Sequence, residues 1–280
     1  MWQVVMIWAI KYGLEVHYIK MEIFMTTIPI PDHIPEDDHW WFASRTRLIT
    51  VFMQQVLPQT HDLDILDIGC GAGNMIHHLS KYGQVRGLEI DPRPVKQALL
   101  RDYDIYQQDA TQGIAFTDNM YDVVTAFDVI EHVDDDMAIL QESYRILKPH
   151  GHIVVTVPAF MWLWSHNDDI NDHKRRYTAD ELKDKLKLSG FQLNRISYNN
   201  FFIFPLAAPL VMLRRGNEPE LASHHLDEDE YQVEMEPTSP IVNSILTVVG
   251  KIESQLARLV SLPFGTSLIA IAQKTEDITT

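Results

Sequence analysis

The sequence predicts an α/β protein built on a doubly wound, mainly parallel sheet, and three observations carry that prediction. From Asp62 onward, short apolar runs that suit buried strands alternate with helical patterns, as a parallel sheet covered on both faces requires. The first run, Ile65-Leu66-Asp67-Ile68, breaks into Gly69-Cys70-Gly71-Ala72-Gly73 and then into a helix. Glycines there let the backbone turn sharply and come close to a ligand, and the next helical turn offers unpaired N–H groups. Finally, the chain has 280 residues and is 46% hydrophobic, which suits one large domain with insertions.

Charge and cysteine content narrow the function. A formal net charge of -16 argues against a nucleic-acid backbone as the main partner, because phosphates need a basic surface, and leaves room only for a local basic patch. The single cysteine, Cys70, cannot form an internal disulfide and fits a reducing compartment. Inside the glycine run it reads as a small residue that fits, rather than as a reactive thiol.

Taken in order, residues 1–10 are apolar but lack a preceding basic segment and a cleavage site, which disfavours a signal peptide, and the run is too short to span a bilayer. Methionines at 21 and 25 leave two readings open for residues 1–24: an upstream extension, or a docking element. The proline-spaced stretch 26–38 reads as an extended linker. His39-Trp40-Trp41-Phe42-Ala43-Ser44-Arg45 opens a helix that Pro58 stops. Its aromatics either pack across the sheet edge through Trp41 and Phe42, or form a lid that leaves Arg45 free for an anion.

Strands are expected at 63–68, 84–89, 104–107, Tyr121–Phe127 and His152–Val157, with helices at 73–82, 92–101 and about Asp134–Leu147. Thr178-Ala179-Asp180-Glu181 is a capping box that starts a helix ending at Ser189-Gly190. Phe191–Tyr198 and Ser267–Ala272 read as further strands. Between these two lie an apolar segment at 201–215 ending in Arg214 and Arg215, an acidic stretch at 216–237, and a helix at 240–262. Ile241, Ile245, Val248, Val249, Ile252, Leu256, Leu259 and Val260 mark that helix's apolar face. The two apolar segments can cap the domain, cover an active site, or lie in a membrane interface.

Glu89 ends the second strand twenty residues after Gly69, where a carboxylate can accept hydrogen bonds from both hydroxyls of a ribose. Asp109 follows the third strand, and Asp67 stands two positions before the first glycine. The pattern hydrophobic-Asp-x-G-x-G-x-G resembles the first motif of class I S-adenosylmethionine (SAM) dependent methyltransferases more than a nicotinamide fingerprint. Tyr121–Val133, with its Asp-Val-Ile-Glu-His-Val ending, is similar to the fourth motif of small-molecule methyltransferases, and Leu147-Lys148-Pro149-His150-Gly151 to their turn before strand five. The resemblance runs from about Asp62 to Val157.

It implies a Rossmann-like seven-stranded sheet whose last strand lies antiparallel between strands five and six. It also implies an N-terminal extension at 1–38 and a methyltransferase domain at 39–280, with a helical insertion at about 200–264. SAM is then the cofactor, held by Asp67, Gly69, Gly71, Gly73, Glu89, Ile90, Asp109, Ala110 and Phe127. Sulfonium methyl transfer is an in-line displacement, and an acceptor hydroxyl or ammonium must lose a proton to a nearby base. His132 is the natural candidate at the tip of strand four, with His173 as a second. Asp128, Glu131 and His132 also resemble a cluster by which some methyltransferases hold magnesium, although metal-free relatives carry Glu-His there; no metal ligand is assigned.

Trp162–Thr178, together with the early Trp-Trp-Phe-x-x-Arg, resembles a bacterial subgroup associated with glycan or lipid-linked biosynthesis. His166 stands one place early against that subgroup's pattern, with Asn167 where its histidine is expected, whereas His173, Arg175, Arg176 and Tyr177 match. The two arginines either suit an acceptor phosphate or carboxylate, or are charges that pair with the acid-rich chain. The resulting expectation is a cytoplasmic methyltransferase, O-methylation favoured, acting on a small-molecule or lipid-linked acceptor, with a peripheral membrane contact through 201–215 left open. The rivals are an inactive SAM-binding protein of the same fold and a nicotinamide oxidoreductase.

Overall fold

A computed structural model describes residues 34–57, 61–214 and 238–275. Residues 1–24, the first part of the expected linker, Arg215 and the acidic stretch 216–237 lie outside the described residues, as does the side chain of Arg214.

Strands β1 (Leu63–Ile68), β2 (Gly83–Glu89), β3 (Asp104–Gln107), β4 (Tyr121–Phe127), β5 (Leu147–Pro158), β6 (Phe191–Asn199) and β7 (Ser267–Lys274) form one sheet in the order β3-β2-β1-β4-β5-β7-β6. Every pairing from β3 to β5 is parallel, and β7 runs antiparallel to both β5 and β6. That arrangement is the seven-stranded Rossmann-like sheet expected from the sequence. The inner strands are apolar on both sides because helices cover both faces. On one face α4 (Asp136–Ile146) and α6 (Ala179–Leu188) bury Ile139, Leu140, Leu182 and Leu186 against Val124, Val155 and Val157. On the other, α1 (Trp40–Val56) buries Leu48, Ile49, Phe52 and Met53 against Ile65, Val123 and Ile269. Helices α2 (Asn74–Leu79) and α3 (Pro92–Leu100) follow β1 and β2.

Several boundaries move for local reasons. Gly73 adopts a φ of +86° and caps α2 instead of entering it. Asp135 caps α4 by accepting from the Ala138 N–H, so that helix starts later than its sequence pattern suggests. Strand β5 begins at Leu147 because Leu147 pairs with Tyr121 before the register shifts to Val123 and His152. The expected turn is therefore an irregularity within a strand, and His150 takes a left-handed φ of +64° where a glycine would be unstrained. The end of the expected linker is not extended: Pro35–Asp38 form a turn of 3₁₀ helix whose buried Glu36 accepts from Arg101 at 3.1 Å. Arg101 also donates to Ala72 O and Asn74 Oδ1, which ties this segment to the glycine bend.

The two insertion helices, α7 (Phe204–Arg214) and α8 (Pro240–Leu259), pack unlike their hydrophobic pattern suggests. Helix α8 turns Gly250, Glu253, Ser254 and Ala257 inward, and Gly250 sits so close to α1 that a Cβ there would stand 2.0 Å from Ser44 Oγ. Buried Glu253 accepts from the N–H groups of Asn200 and Phe202, fastening α8 to the end of β6. Of the expected apolar face, Ile241, Ile245, Val248, Ile252, Leu259 and Val260 point outward, while Val249 and Leu256 are partly buried. Simple capping of the core by that face is thereby corrected. On α7, Leu206, Leu210 and Leu213 are also exposed. No helix among the described residues is long and apolar enough to cross a membrane.

Because small side chains hold α8 on α1, Gly250→Val should cost about 1–3 kcal/mol through overpacking. Ile245→Ser, on the outward face, should change stability by no more than about 0.5 kcal/mol. Urea unfolding of the two variants against wild type measures both.

Candidate active site

The carboxyl ends of the parallel strands gather most of the predicted residues along one edge. Gly69, Gly71 and Gly73 have φ values of +66°, +54° and +86°, which explains why glycine occupies all three. The bend is tied to β2, since Leu88 O accepts from the N–H groups of Gly69 and Cys70. Glu89, at the β2 tip, accepts from Gly71 N–H at 2.9 Å and from the N–H groups of Ile90 and Asp91. The Ile90 side chain beside it is 59% exposed, an apolar shelf at a strand tip. Asp109 accepts from the Thr111 N–H and hydroxyl through Oδ1 and so starts a 3₁₀ turn containing buried Ala110. Buried Phe127 ends β4 with the Arg45 guanidinium 5.5 Å from its ring centre.

Asp67 is nearly sealed, at 2% exposure, and accepts from Thr125 Oγ1 at 2.6 Å. Burial raises its carboxyl to about 7, with the Thr125 hydrogen bond and Arg45 offsetting only part of the rise and Glu89 adding to it. Cys70 is buried, and burial together with Asp67 and Glu89 pushes its thiol up, in keeping with a packing role.

Next to this edge stands a second group of residues. Arg45 is not free for an anion: it pairs with Asp128 at 2.7 Å and lies over Trp41. Asp128, at a φ of +55°, also accepts from Thr156 Oγ1 at 3.0 Å. Trp41, Arg45, Asp128, Thr156, Asn199 and Ser267 line a recess at the ends of β4, β5 and β6 and the start of β7. Thus α1 reaches the site through Trp41 and Arg45, but packs through its later turns and across the sheet face.

His132 follows β4, and its ring meets that of His173 edge to face, 4.6 Å between centres. Burial and His173 lower the His132 pKa, opposed by a hydrogen bond to the Asn171 carbonyl. His173 Nδ1 lies 2.8 Å from Asp168 Oδ1. Asp168 is buried and also accepts two bonds from Arg176, at 2.7 and 2.8 Å, and two from Ser165. Burial alone would raise the Asp168 carboxyl, but the hydrogen bonds from His173 and Arg176 prevail and hold it well below the usual range. His166 merely opens the short helix α5 (His166–Ile170).

These contacts correct the reading of the arginines as an anion site. Arg175 is spent on Val133 O, Asp134 O and Asp136, and Arg176 on Asp168 and Ala159 O. Tyr177 is buried and donates to Ile130 O and Asp136. The stretch therefore braces the loop after β5 against the segment between β4 and α4. Sequence reading missed Asp168 and the Arg45–Asp128 pair, because neither partner of either pair carries a local pattern that names the other.

Glycines, strand-tip carboxylates and an exposed apolar shelf at the carboxyl edge of this sheet define a nucleoside-binding α/β protein, and the carboxylate acceptors fit the hydroxyl and amino donors of the adenosine of SAM. Residues 41–195, just over half of the chain, match the family described as "Methyltransferase domain"; the chain belongs to that family of class I SAM-dependent methyltransferases. It is 32% identical over 129 residues to a ubiquinone biosynthesis O-methyltransferase of Vibrio cholerae, covering 41% of this chain and 53% of that protein. The relative of the same name from Proteus mirabilis is 32% identical over 96 residues, covering 32% and 39%. The chain thus matches about half the length of the Vibrio relative or less of the Proteus one.

Among solved structures, a sarcosine dimethylglycine methyltransferase described as putative, from Galdieria sulphuraria, superposes with a TM-score of 0.53 at 15% identity, covering 85% of this chain and 88% of that one. A phosphoethanolamine N-methyltransferase of Haemonchus contortus in complex with SAM gives 0.51 at 18%, covering 82% and 52%. These likenesses establish the fold.

An unfolded aspartate titrates near 3.9. With the folded value raised to about 7, the native state keeps a proton that the unfolded chain has lost, so this group's contribution declines as pH rises from about 4 to about 7 and levels above that. Asp67→Asn should therefore gain stability relative to wild type across that window, by on the order of a few kcal/mol, and hold the gain at higher pH. Urea unfolding without SAM at pH 5, 6, 7 and 8 reads the difference.

Proposed function

We propose that the protein transfers the methyl group of SAM to an oxygen of a small or membrane-associated acceptor. The observation that supports this best is the single edge that joins the glycine bend, Glu89, Ile90 and Asp109 to His132 and His173. SAM supplies a methyl on a sulfonium, so the chain has mainly to hold reactants in line and accept a proton. Glu89 would take the ribose hydroxyls, Ile90 and Ala110 would flank the adenine, and Asp109 would accept from its amino group. Asp67, Gly69, Gly71, Gly73 and Phe127 would hold the methionine end. His132 stands where an acceptor hydroxyl could lose its proton, and Asp168 orients His173 beside it. Transfer to oxygen follows the named activity of the Vibrio relative.

Calorimetry should show SAM and S-adenosylhomocysteine binding to wild type and NAD failing to bind. Glu89→Ala should weaken SAM by at least about 100-fold, through loss of charged hydrogen bonds. His132→Ala should retain SAM and lose about 100-fold or more in S-adenosylhomocysteine release with hydroxylated small-molecule or glycan-lipid acceptors. NAD binding in place of SAM would sink the proposal.

The outward apolar residues of α7 and α8, such as Leu206, Leu210, Ile245 and Ile252, support a docked acceptor membrane. A net charge of -16 favours zwitterionic lipid over anionic lipid. Wild type should co-sediment with phosphatidylcholine vesicles, and a Leu206→Glu, Ile245→Glu, Ile252→Glu triple variant should stay in the supernatant. Equal recovery of the two would refute membrane contact.

A further inference from the structure

Glu131 is 0% exposed, and neither of its carboxylate oxygens has a hydrogen-bond partner. A buried carboxyl left unpaired costs several kcal/mol, so such a group calls for an occupant or an explanation. Its chain neighbour His132 and, across the loop after β5, His173 surround it; one ligand atom from each of the three lies within 4.8 Å of the others. The backbone holds them together, since Lys174 N–H donates to Glu131 O at 2.7 Å and His173 N–H to Asp168 O at 2.9 Å.

One of the two imidazoles is fixed by a partner outside the cluster. His173 Nδ1 meets the Asp168 carboxylate, which leaves Nε2 available. A carboxylate or carbonyl behind the imidazole is the outer-shell arrangement that orients histidine ligands at metal centres. Asp128, the other acid that the sequence suggested for a cation, is engaged by Arg45 and Thr156 and does not join.

We propose that Glu131, His132 and His173 form a binding site for a divalent transition metal of the zinc class. Two imidazoles and one carboxylate favour zinc, cobalt or ferrous iron over magnesium, which prefers oxygen and near-ideal octahedral geometry. Zinc–ligand bonds of about 2 Å place tetrahedral ligand atoms about 3.3 Å apart. The exposed His132 side chain can supply the inward rotation that closes the present spacing. With metal bound, His132 would serve as a ligand rather than as the base, and the open fourth position would let the metal lower the pKa of an acceptor oxygen placed there. That role rests on the methyl-transfer reading; the existence of the site does not.

The test uses full-length protein stripped with chelator. Titration with cobalt(II) should give visible d–d absorption bands that saturate at one equivalent, and zinc should displace the cobalt. Glu131→Gln and His173→Ala should each weaken zinc by at least about 100-fold in competition with a chromophoric chelator. His78→Ala should leave it unchanged; that variant controls for the other cluster of suitable side chains, Asp37, His77 and His78. Calorimetry of SAM on every variant reports folding and cofactor binding independently. Wild type without cobalt bands, or zinc affinity lost in His78→Ala but kept in Glu131→Gln, would overturn the proposal. Metal binding by wild type that fails to bind SAM would keep the site and remove its part in methyl transfer.

Discussion

The contact on which the site depends is the close approach of Gly69 to Val129. A Cβ on Gly69 would stand 2.4 Å from Val129 Cγ2, so only glycine lets the bend after β1 lie against the segment that leaves β4. In the strand order β3-β2-β1-β4-β5, the sheet grows outward in both directions from β1 and β4. Their connections run to opposite faces, and a crevice opens between them. One side of that crevice carries Glu89 and the glycine bend, and the other carries Phe127 through His132. The space between them is set by a side chain that glycine does not have.

The second half of the site is held by buried charge. Asp168 gathers Arg176, His173 and Ser165, while Asp136 gathers Arg175, Tyr177 and Lys185. Together they clamp the loop after β5 against the start of α4. Removing one partner from such a pair leaves an uncompensated charge, so the clamp fixes geometry more surely than it adds stability. His173 inherits that rigidity, whereas the exposed His132 side chain lies outside the clamp.

The sheet was legible in the sequence because fully buried parallel strands are short apolar runs and helix covers carry their own period. The chain order of Asp67, Glu89 and Asp109 was legible because a doubly wound fold puts strand tips on one edge. Pairings across the chain were not. Arg175 and Arg176 look like an anion site until Asp136 and Asp168, eight to thirty-nine residues away, are seen to occupy them. Helix α8 misled in another way: its hydrophobic stripe was correctly placed in sequence, yet Gly250, Ser254 and Ala257 allow closer packing on α1 and take the inner face. The antiparallel position of β7 came from family likeness, since periodicity carries no strand order.

The locked arginines have a bearing on redesign. Trp41, Asn199 and Ser267 line the recess, stand on three separate elements, and have no part in the clamp around Asp136 and Asp168. Substitutions there change the recess while the glycine bend and Glu89 keep their form. Changes at Arg175 or Arg176, which look the more inviting targets in the bare sequence, would instead release the loop after β5 from the start of α4.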